Sequence, residues 1–482
     1  MAYFHGVKAS EIATSIITPV STTAGLPVVF GTAPVHLTSD PKAYVNKPVI
    51  CYSWDEAVAA LGYSGDWDKY TLSEVMYSQF KLYGISPVVF VNVLDPTKHK
   101  KSQKDSTGRA VNDHQIIVDD DVLLSTLVVK KSSASEAAVL GTDYTAAYND
   151  DGKLVITLLE TGALYSEATL VLEYDAVDAT AVTSADIIGG ASADGSSKGL
   201  ELIDYIYTMF SLVPGIILAP GFSEDPTVAA VMKAKALTVM ELFRCTVLAD
   251  IDTAKCKSYQ DVNEWKKKNG YTGTNQIVCW PCVRNGDMIF HFSTHLLGVI
   301  GALDADNDDV PYQSPSNRDM QITGLCLKDG TEVLLSLPQA NLLNSQGVMT
   351  AINFTGGWKS WGNYTGAYPS STDVKDTFIC VRRFFDWDDQ TFILTYWQKV
   401  DGPLSPRFVK SIVESERVRL NSLVARGYML GAEVKFLESE NSTTDLLQGI
   451  FRIHKFRTPP VPAQEIETIS EYNVEYLNKL FE

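Results

Sequence analysis

Three prolines near the C-terminus constrain how this 482-residue chain ends. Pro459, Pro460 and Pro462 cannot continue a helix, and none has an amide hydrogen for pairing in a central strand. The segment that follows is acidic, but it contains apolar side chains that an exposed tail would not need. These side chains include Ile466, Ile469, Tyr472 and Val474. The pattern predicts that residues 459–482 form an arm that is buried on a neighbouring copy, as in a polymer subunit.

The first 22 residues predict a second arm. Ile12, Ile16 and Ile17 lie among Ser, Thr and Ala, and no helix-capping signal accompanies them. The segment also lacks the basic start and apolar stretch of a secretory signal, so we do not expect export by that route.

Composition excludes several classes of protein. The formal net charge of −18 argues against a general nucleic-acid-binding protein, which needs a basic surface to meet phosphates. No run of about 18 apolar residues is present, so we expect no membrane insertion. The seven cysteines are odd in number and scattered, which is typical of reduced thiols in a cytosol.

An α/β pattern opens the body of the chain and is then interrupted. Strands at 27–30 and 85–94 flank helices at 53–61 and 71–83. From about residue 97 the pattern changes to short alternating segments broken by turn residues, which predicts an inserted all-β domain. Alternating helices and strands resume after residue 199.

The C-terminal part has a different pattern. Residues 377–400, rich in Phe, Ile, Tyr and Trp, predict strands. Residues 405–426 predict a helix with Ser405 as N-cap, Pro406 at its first position and Gly427 at its end. Further strands are expected at 431–437 and 447–456.

The sequence therefore predicts a multidomain protein of mixed α/β and α+β class. An α/β domain carries an inserted all-β domain and is followed by a C-terminal α+β domain, with extended N- and C-terminal arms. The predicted units are the N-terminal arm 1–22, the α/β domain 23–96 with 200–335, the insert 97–199, the C-terminal domain 336–458 and the C-terminal arm 459–482.

Two motifs could carry enzymatic chemistry. Cys279 and Cys282 have the spacing of a thiol redox pair, but such a pair needs its first Cys at a helix N-terminus, and here it lies in a strand-like run. His291 and His295 have the spacing of a zinc-binding helix. Phe292, however, stands where a zinc protease has Glu, and no third ligand follows. We therefore favour structural roles for both pairs.

An acidic loop at 304–309 resembles the start of a calcium-binding loop. Its sixth position is Asp309 where Gly is needed, and its twelfth is Pro315 where Glu is needed. A solvated loop is the better interpretation. The sequence predicts no catalytic residue, no metal ligand and no cofactor, and hence no enzyme.

Several segments occur in an order that resembles the tail sheath proteins of contractile bacteriophages and phage-like bacteriocins, in the form found in prophages of Gram-positive bacteria. These segments are 311–317, 339–347, 357–363, 382–387, 402–409, 416–421 and 431–432. The resemblance is strong over 275–460, moderate over 20–95 and 200–275, and absent from 97–200.

The resemblance implies a mechanism. Sheath subunits polymerise around an inner tail tube, between baseplate and terminator proteins, and contract by rigid-body rearrangement to drive the tube through a bacterial envelope. Their arms add strands to a sheet of neighbouring subunits. Here Phe451, Ile453 and Phe456 are the expected arm-accepting strand.

The resemblance also implies that the helix at 405–426 faces the tube, with Arg417 and Arg419 available to acidic partners. Covering its own sheet is an equally good interpretation of that helix. The alternatives for the whole chain are a cytosolic α/β enzyme of thiol-redox or metal-dependent type and a self-assembling surface-layer or adhesin protein.

Overall fold

The structure is a computed structural model, and it describes residues 24–105, 107–192, 195–371 and 373–481. The predicted N-terminal arm, with Ile12, Ile16 and Ile17, lies outside the described residues. No helix of the described residues is long and apolar enough to cross a membrane.

A central sheet of eight strands forms the middle of the molecule. In spatial order the strands are Val49–Cys51, Val88–Asn92, Pro27–Gly31, Ile216–Leu218, Thr246–Asp250, Gln276–Cys279, Val348–Phe354 and Gly357–Trp361. The six inner strands are parallel, and the two outermost strands are antiparallel to their neighbours. Strands buried on both faces need continuous apolar sequence, and this explains runs such as Pro27–Gly31, which is buried throughout.

Helices accompany the central sheet. They are Trp54–Leu61, Thr71–Met76 with a π-helical continuation Tyr77–Tyr83, Gly199–Tyr205 (3₁₀), Ile206–Phe210, Pro226–Ala236, Tyr259–Lys268, Phe292–Ala305 and Leu337–Asn344. The first of these helices is capped by Ser53, whose hydroxyl accepts from the Glu56 amide at 3.3 Å. The last two strands of the sheet lie beyond residue 335, so the predicted boundary there divides the sheet. The sequence pattern did not assign these strands to the sheet, because the strand that joins them to it, Gln276–Cys279, is distant in sequence from its partner Val348–Phe354.

The insert is built from short antiparallel strands around its own apolar core. One sheet contains Lys100–Lys104, Arg109–Ala110, Val128–Lys130 and Thr169–Val177, and the other contains Gln115–Val118, Tyr144–Tyr148 and Leu154–Leu158. A short helix, Ser184–Ile188, leads back to the central sheet. A second small sheet, beside the central one, consists of Cys282–Asn285, Met288–Phe290, Gly324–Cys326 and Glu332–Val333.

The prediction of strands at 377–400 is wrong, because Ile379–Tyr396 is an α-helix. Its aromatic and β-branched residues favour strands, but their spacing is helical. Cys380, Phe384 and Trp387 recur every three or four residues and are all buried. A helical ion pair between Arg382 and Asp386, four residues apart, adds to this.

The predicted helix at 405–426 is confirmed as Pro406–Ala425, and the Ser405 hydroxyl accepts from the Phe408 amide at 3.2 Å. Two strands follow, Gly431–Lys435 and His454–Thr458, and they pair with each other. We call this two-stranded sheet the C-terminal hairpin.

The predicted strand at 447–456 is wrong in its bounds. A short helix, Thr443–Leu447, occupies its start, and Phe451 and Ile453 precede the observed strand, which includes only Phe456 of the three. The side chain of Asn441 accepts from the Arg452 amide at 2.6 Å and donates to the Arg452 carbonyl at 3.0 Å. These bonds satisfy the backbone that strand pairing would otherwise use.

Candidate subunit-assembly site

The C-terminal arm carries apolar side chains that its own subunit leaves in solvent. Ile466 is 86% exposed and Ile469 is 90% exposed, and Tyr472 and Val474 are exposed as well. The arm has no regular structure until a short 3₁₀ helix, Val474–Phe481. Each buried Ile stabilises a fold or contact by about 1.5–3 kcal/mol. The arm thus presents apolar surface that the body of its own subunit does not cover.

The C-terminal hairpin has free edges. Its strands pair over five residues each, from Gly431 opposite Thr458 to Lys435 opposite His454. Within the described part of the chain, neither strand pairs with a further strand. An isolated pair of strands is marginally stable, and an unpaired edge can template another strand. Phe456, in the second strand of the hairpin, is 45% exposed.

A buried ionic network fixes one face of the hairpin to two helices. Asp388, from the helix 379–396, has a fully buried side chain that pairs with Arg419, Lys455 and Arg457. The Lys455 ammonium lies 3.0 Å from the Asp388 carboxylate. Burial alone would raise the pKa of Asp388, but the three cations hold that pKa far below its usual range. Asp388 is therefore an anion that ties together both helices and the second strand of the hairpin.

A second buried carboxylate completes the ionic network. Glu416 accepts from the Nε of Arg419 at 2.9 Å and from the Tyr396 hydroxyl at 3.3 Å. Arg457 also pairs with Asp389 at 2.8 Å. The cluster thus balances three acids, Asp388, Asp389 and Glu416, against three bases, Arg419, Lys455 and Arg457. The sequence analysis did not predict this cluster. The local patterns that point to it are Glu416 and Arg419, three residues apart on one helix face, and Lys455 and Arg457, two residues apart on one strand face.

The two arginines predicted to face a tube differ in exposure. Arg419 is buried and held by Asp388 and Glu416, so the prediction that it is available to an acidic partner is wrong. Its position follows from the turn of the helix, which points Arg419 towards the neighbouring helix. Arg417 is 43% exposed in its side chain; it pairs with Glu414 at 2.7 Å and donates to the Val434 carbonyl at 2.9 and 3.0 Å.

Ala24, the first described residue, is packed against the C-terminal helices. Ala24 packs in the apolar cluster of Phe384 and Trp387, and its carbonyl accepts from Arg383 at 3.3 Å. Arg383 also pairs with Asp304, and both side chains are 3% exposed. Asp304, the first residue of the calcium-like loop, is therefore part of a buried ion pair.

The two cysteines of the redox-like motif lie in different sheets. Cys279 ends a strand of the central sheet, and Cys282 begins a strand of the smaller sheet after Trp280 and Pro281. Both thiols are buried, and burial raises the pKa of each well above its usual value. A reactive thiol needs the opposite shift.

The histidine pair is divided between two environments. The Nδ1 of His291 lies 2.7 Å from Glu74, whose other oxygen accepts from the His291 amide at 2.7 Å. Burial opposes protonation of His291, but Glu74, Glu224 and Asp250 outweigh it and raise the pKa to about 10. His295 bonds to the Tyr83 hydroxyl at 3.0 Å, and burial lowers the pKa of His295 to about 3. Among the described residues, no group of three or more His, Cys, Asp or Glu side chains could hold a metal ion.

Comparison with known proteins identifies relatives over almost the whole chain. No family model matches. The tail sheath protein of Burkholderia phage BcepMu is 27% identical over 495 residues, which cover 98% of each chain. A putative prophage major tail sheath protein of Pseudomonas aeruginosa is 26% identical over 333 residues, or 66% of this chain and 81% of that protein.

The fold has a solved counterpart. A sheath complex of an extracellular contractile injection system, PVC, in its contracted state has a TM-score of 0.57 at 12% identity and covers 99% of both chains. The predicted mixed α/β class is thereby confirmed, and the finer resemblance to Gram-positive prophages stays a prediction. Along its length the chain is similar in sequence to the tail sheath proteins of phages and prophages, and its fold is similar to that of a contractile injection system sheath.

Proposed function

We propose that the chain is the structural subunit of a contractile tail sheath, which polymerises around an inner tube and contracts to drive the tube through a bacterial envelope. The observation that carries the proposal is the homology to a phage tail sheath protein across 98% of the chain. Contraction by relaxation of a metastable polymer needs no catalytic residue and no cofactor. The buried, high-pKa thiols and the divided histidine pair give the enzyme alternative no support.

In this proposal, the C-terminal arm adds a strand to the C-terminal hairpin of a neighbouring copy. The side chains that would become buried in that contact are Ile466, Ile469, Tyr472 and Val474. The N-terminal arm would act in the same way through Ile12, Ile16 and Ile17. On the accepting side, Phe456 lies in the hairpin, while Phe451 packs on Phe408 with ring centroids 6.0 Å apart and Ile453 packs against the apolar cluster. Such head-to-tail contacts do not close, so they generate a helical polymer.

The ionic network gives this contact a rigid base. Because Asp388 joins both helices to the hairpin, the hairpin and helices would move as one body when subunits rotate during contraction. The subunit would assemble in the host cytoplasm and function in a phage tail or a released bacteriocin particle. Its partners would be other copies, the inner tail tube, the baseplate and the tail terminator, with no nucleic acid and no membrane insertion.

The helix 406–425 is the proposed tube-facing element, with Arg417 as its available cation. Support comes from the partial exposure of Arg417 and the exposure of Val418 on the same helix. The opposite face, including Ile412, Leu420 and Leu423, is buried, so the helix also covers its own domain.

Negative-stain electron microscopy of the purified chain, mixed with its tail tube protein, tests the proposal. We expect hollow ring-like or tubular polymers with the full chain and none after deletion of residues 459–482. A monodisperse globular particle from the full chain in the presence of the tube protein would contradict the proposal. Polymers that survive the deletion would contradict the role of the arm.

A further inference from the structure

The root of the C-terminal arm is held on its own subunit before the arm becomes free. Pro459 is buried, and Pro460 and Pro462 are half-buried. Two residues further on, the Gln464 side-chain oxygen accepts a hydrogen bond from the Tyr364 hydroxyl at 2.6 Å. Ala463 and Gln464 are exposed, as is every residue from Glu465 to Phe481. The hydrogen bond of Gln464, and not a change in burial, therefore marks residue 465 as the start of the free arm.

Tyr364 is a rigid point of attachment. Its ring stacks on Tyr368, with centroids 3.8 Å apart and planes 6° apart, and also on Phe378, with centroids 5.2 Å apart. The adjacent Thr365 donates from its amide to the Thr377 carbonyl at 2.9 Å. The Tyr364 hydroxyl is thus held in place by packing and backbone bonds on both sides.

A buried lysine fixes the loop that carries Tyr364. The Lys266 ammonium donates to the carbonyls of Gln346, Gly366 and Tyr368 at 2.5, 2.7 and 3.1 Å. An ammonium has three donors, and these three carbonyls use all of them. The Gly366 amide donates to the Gln276 carbonyl at 2.6 Å, which connects the same loop to the central sheet. The position of Tyr364 is therefore set by the core of the subunit.

A polar cavity of about 660 Å³ separates the arm root from the body elsewhere. Its lining includes Asn341, Trp361 and Tyr364 on the body and Pro462, Gln464 and Glu465 on the arm. Because this open space lies between the arm and the body, the hydrogen bond from Tyr364 to Gln464 is a contact that bridges them there.

We propose that Tyr364, supported by Lys266, is the positioning residue that fixes the direction in which the C-terminal arm leaves its subunit. The free arm is then residues 465–482, which span roughly 60 Å when extended. The consequence for assembly rests on the proposed sheath function. An arm held in one direction loses less conformational freedom when it reaches the neighbouring copy.

Spin labelling of the full chain tests the attachment without requiring assembly. All seven cysteines are buried, so an introduced surface thiol can be labelled selectively. A label on Ala463→Cys should give a restricted electron paramagnetic resonance line shape, which Tyr364→Phe converts to a mobile one. A label on Ser470→Cys, in the free arm, should be mobile with either Tyr or Phe at position 364. As a second control, Tyr472→Phe removes a hydroxyl from the free arm and should leave the Ala463→Cys label restricted. A mobile Ala463→Cys label in the otherwise unchanged chain would overturn the proposal.

Polymer formation with the tube protein tests the consequence. Loss of one hydrogen bond corresponds to about a two- to tenfold change in an equilibrium constant. We expect Tyr364→Phe to raise the concentration needed for polymers by that factor, and Tyr472→Phe to raise it less. Unchanged or easier assembly of Tyr364→Phe would overturn the proposal. If the unsubstituted chain forms no polymer with the tube protein, the proposed sheath function is contradicted. The spin-label experiment would still test whether Tyr364 holds the arm.

Discussion

At the scale of single residues, Lys266 shows how a buried charge can be satisfied by carbonyls. Burial lowers the pKa of Lys266 to about 7, so an ammonium there is stabilised mainly by its three carbonyl partners. Those carbonyls in turn depend on the lysine, because a buried carbonyl without a donor is costly.

We expect Lys266→Met to lower the free energy of unfolding by about 1–3 kcal/mol, because it leaves three carbonyls without their donor. Lys267→Met is the matched control, since Lys267 is the next residue of the same helix and is exposed. Urea titration followed by circular dichroism measures both. Equal stability of the two variants would show that the carbonyls do not depend on Lys266.

His291 gives the chain a pH dependence whose sign follows from its raised pKa of about 10. The folded state holds this proton more tightly than the unfolded state, where His titrates near pH 6.5. The stabilisation is therefore complete below about pH 6.5 and is lost as the pH rises through 10. The three carboxyl groups that face His291, from Glu74, Glu224 and Asp250, supply the attraction.

We expect His291→Gln to destabilise the chain most at pH 6 and least near pH 10. Unfolding free energies of both proteins across this range measure the difference. His114→Gln, a change at an exposed histidine of the insert, is the matched control substitution. If the difference in unfolding free energy between the unsubstituted chain and His291→Gln increased with pH, the assignment of the proton to His291 would be contradicted.

At the scale of elements, the C-terminal domain is held together by buried ion pairs as well as by apolar contacts. The ionic network links the helices 379–396 and 406–425 to the hairpin strand 454–458. Removing one member of a buried ion cluster is costly, because its partners keep their charge without compensation.

Asp388→Asn should therefore lower stability by about 3–5 kcal/mol. Glu414→Gln removes an exposed carboxylate that pairs with Arg417 on the same helix, and it should cost at most about 1 kcal/mol. Thermal unfolding of the two variants compares the costs. Similar losses for both would mean that Asp388 contributes no more than a surface ion pair.

At the scale of the whole molecule, assembly and folding should be separable. Ile466 and Ile469 are exposed in the isolated subunit, so their replacement changes nothing that the subunit itself buries. In the proposed polymer, both would lie between copies.

We expect the double variant Ile466→Asp with Ile469→Asp to keep its melting temperature and to lose polymer formation with the tube protein. Two Ile side chains contribute about 3–6 kcal/mol to a contact when buried, which is more than a hundredfold in association. Leu237→Asp with Leu242→Asp, at two exposed side chains outside the arm, is the control for added charge. Equal loss of polymers in the control would contradict a specific role for the arm.

Local signals in the sequence determined the elements that depend on neighbours along the chain. The cap, proline and glycine around 405–427 predicted the helix Pro406–Ala425, and the prolines with the apolar residues after them predicted an arm that leaves its domain. Apolar runs predicted parallel strands such as Pro27–Gly31 and Val88–Asn92, but not Val348–Phe354. Each of these signals acts over a few residues, so no distant contact is needed to interpret it.

Tertiary structure decided the rest, because the deciding contacts join distant residues. Asp388 meets Arg419 and Arg457 across 31 and 69 positions, and Lys266 meets Gly366 across 100. Residues 379–396 favour strands by composition but have helical spacing, and packing of Phe384 and Trp387 in the cluster shared with the helix 406–425 stabilises the helix. The sequence by itself predicted a body and a C-terminal arm. Only tertiary contacts decided that Arg419 is buried and that Gln464 is bonded to Tyr364, since burial and hydrogen bonding are set by what packs around a residue.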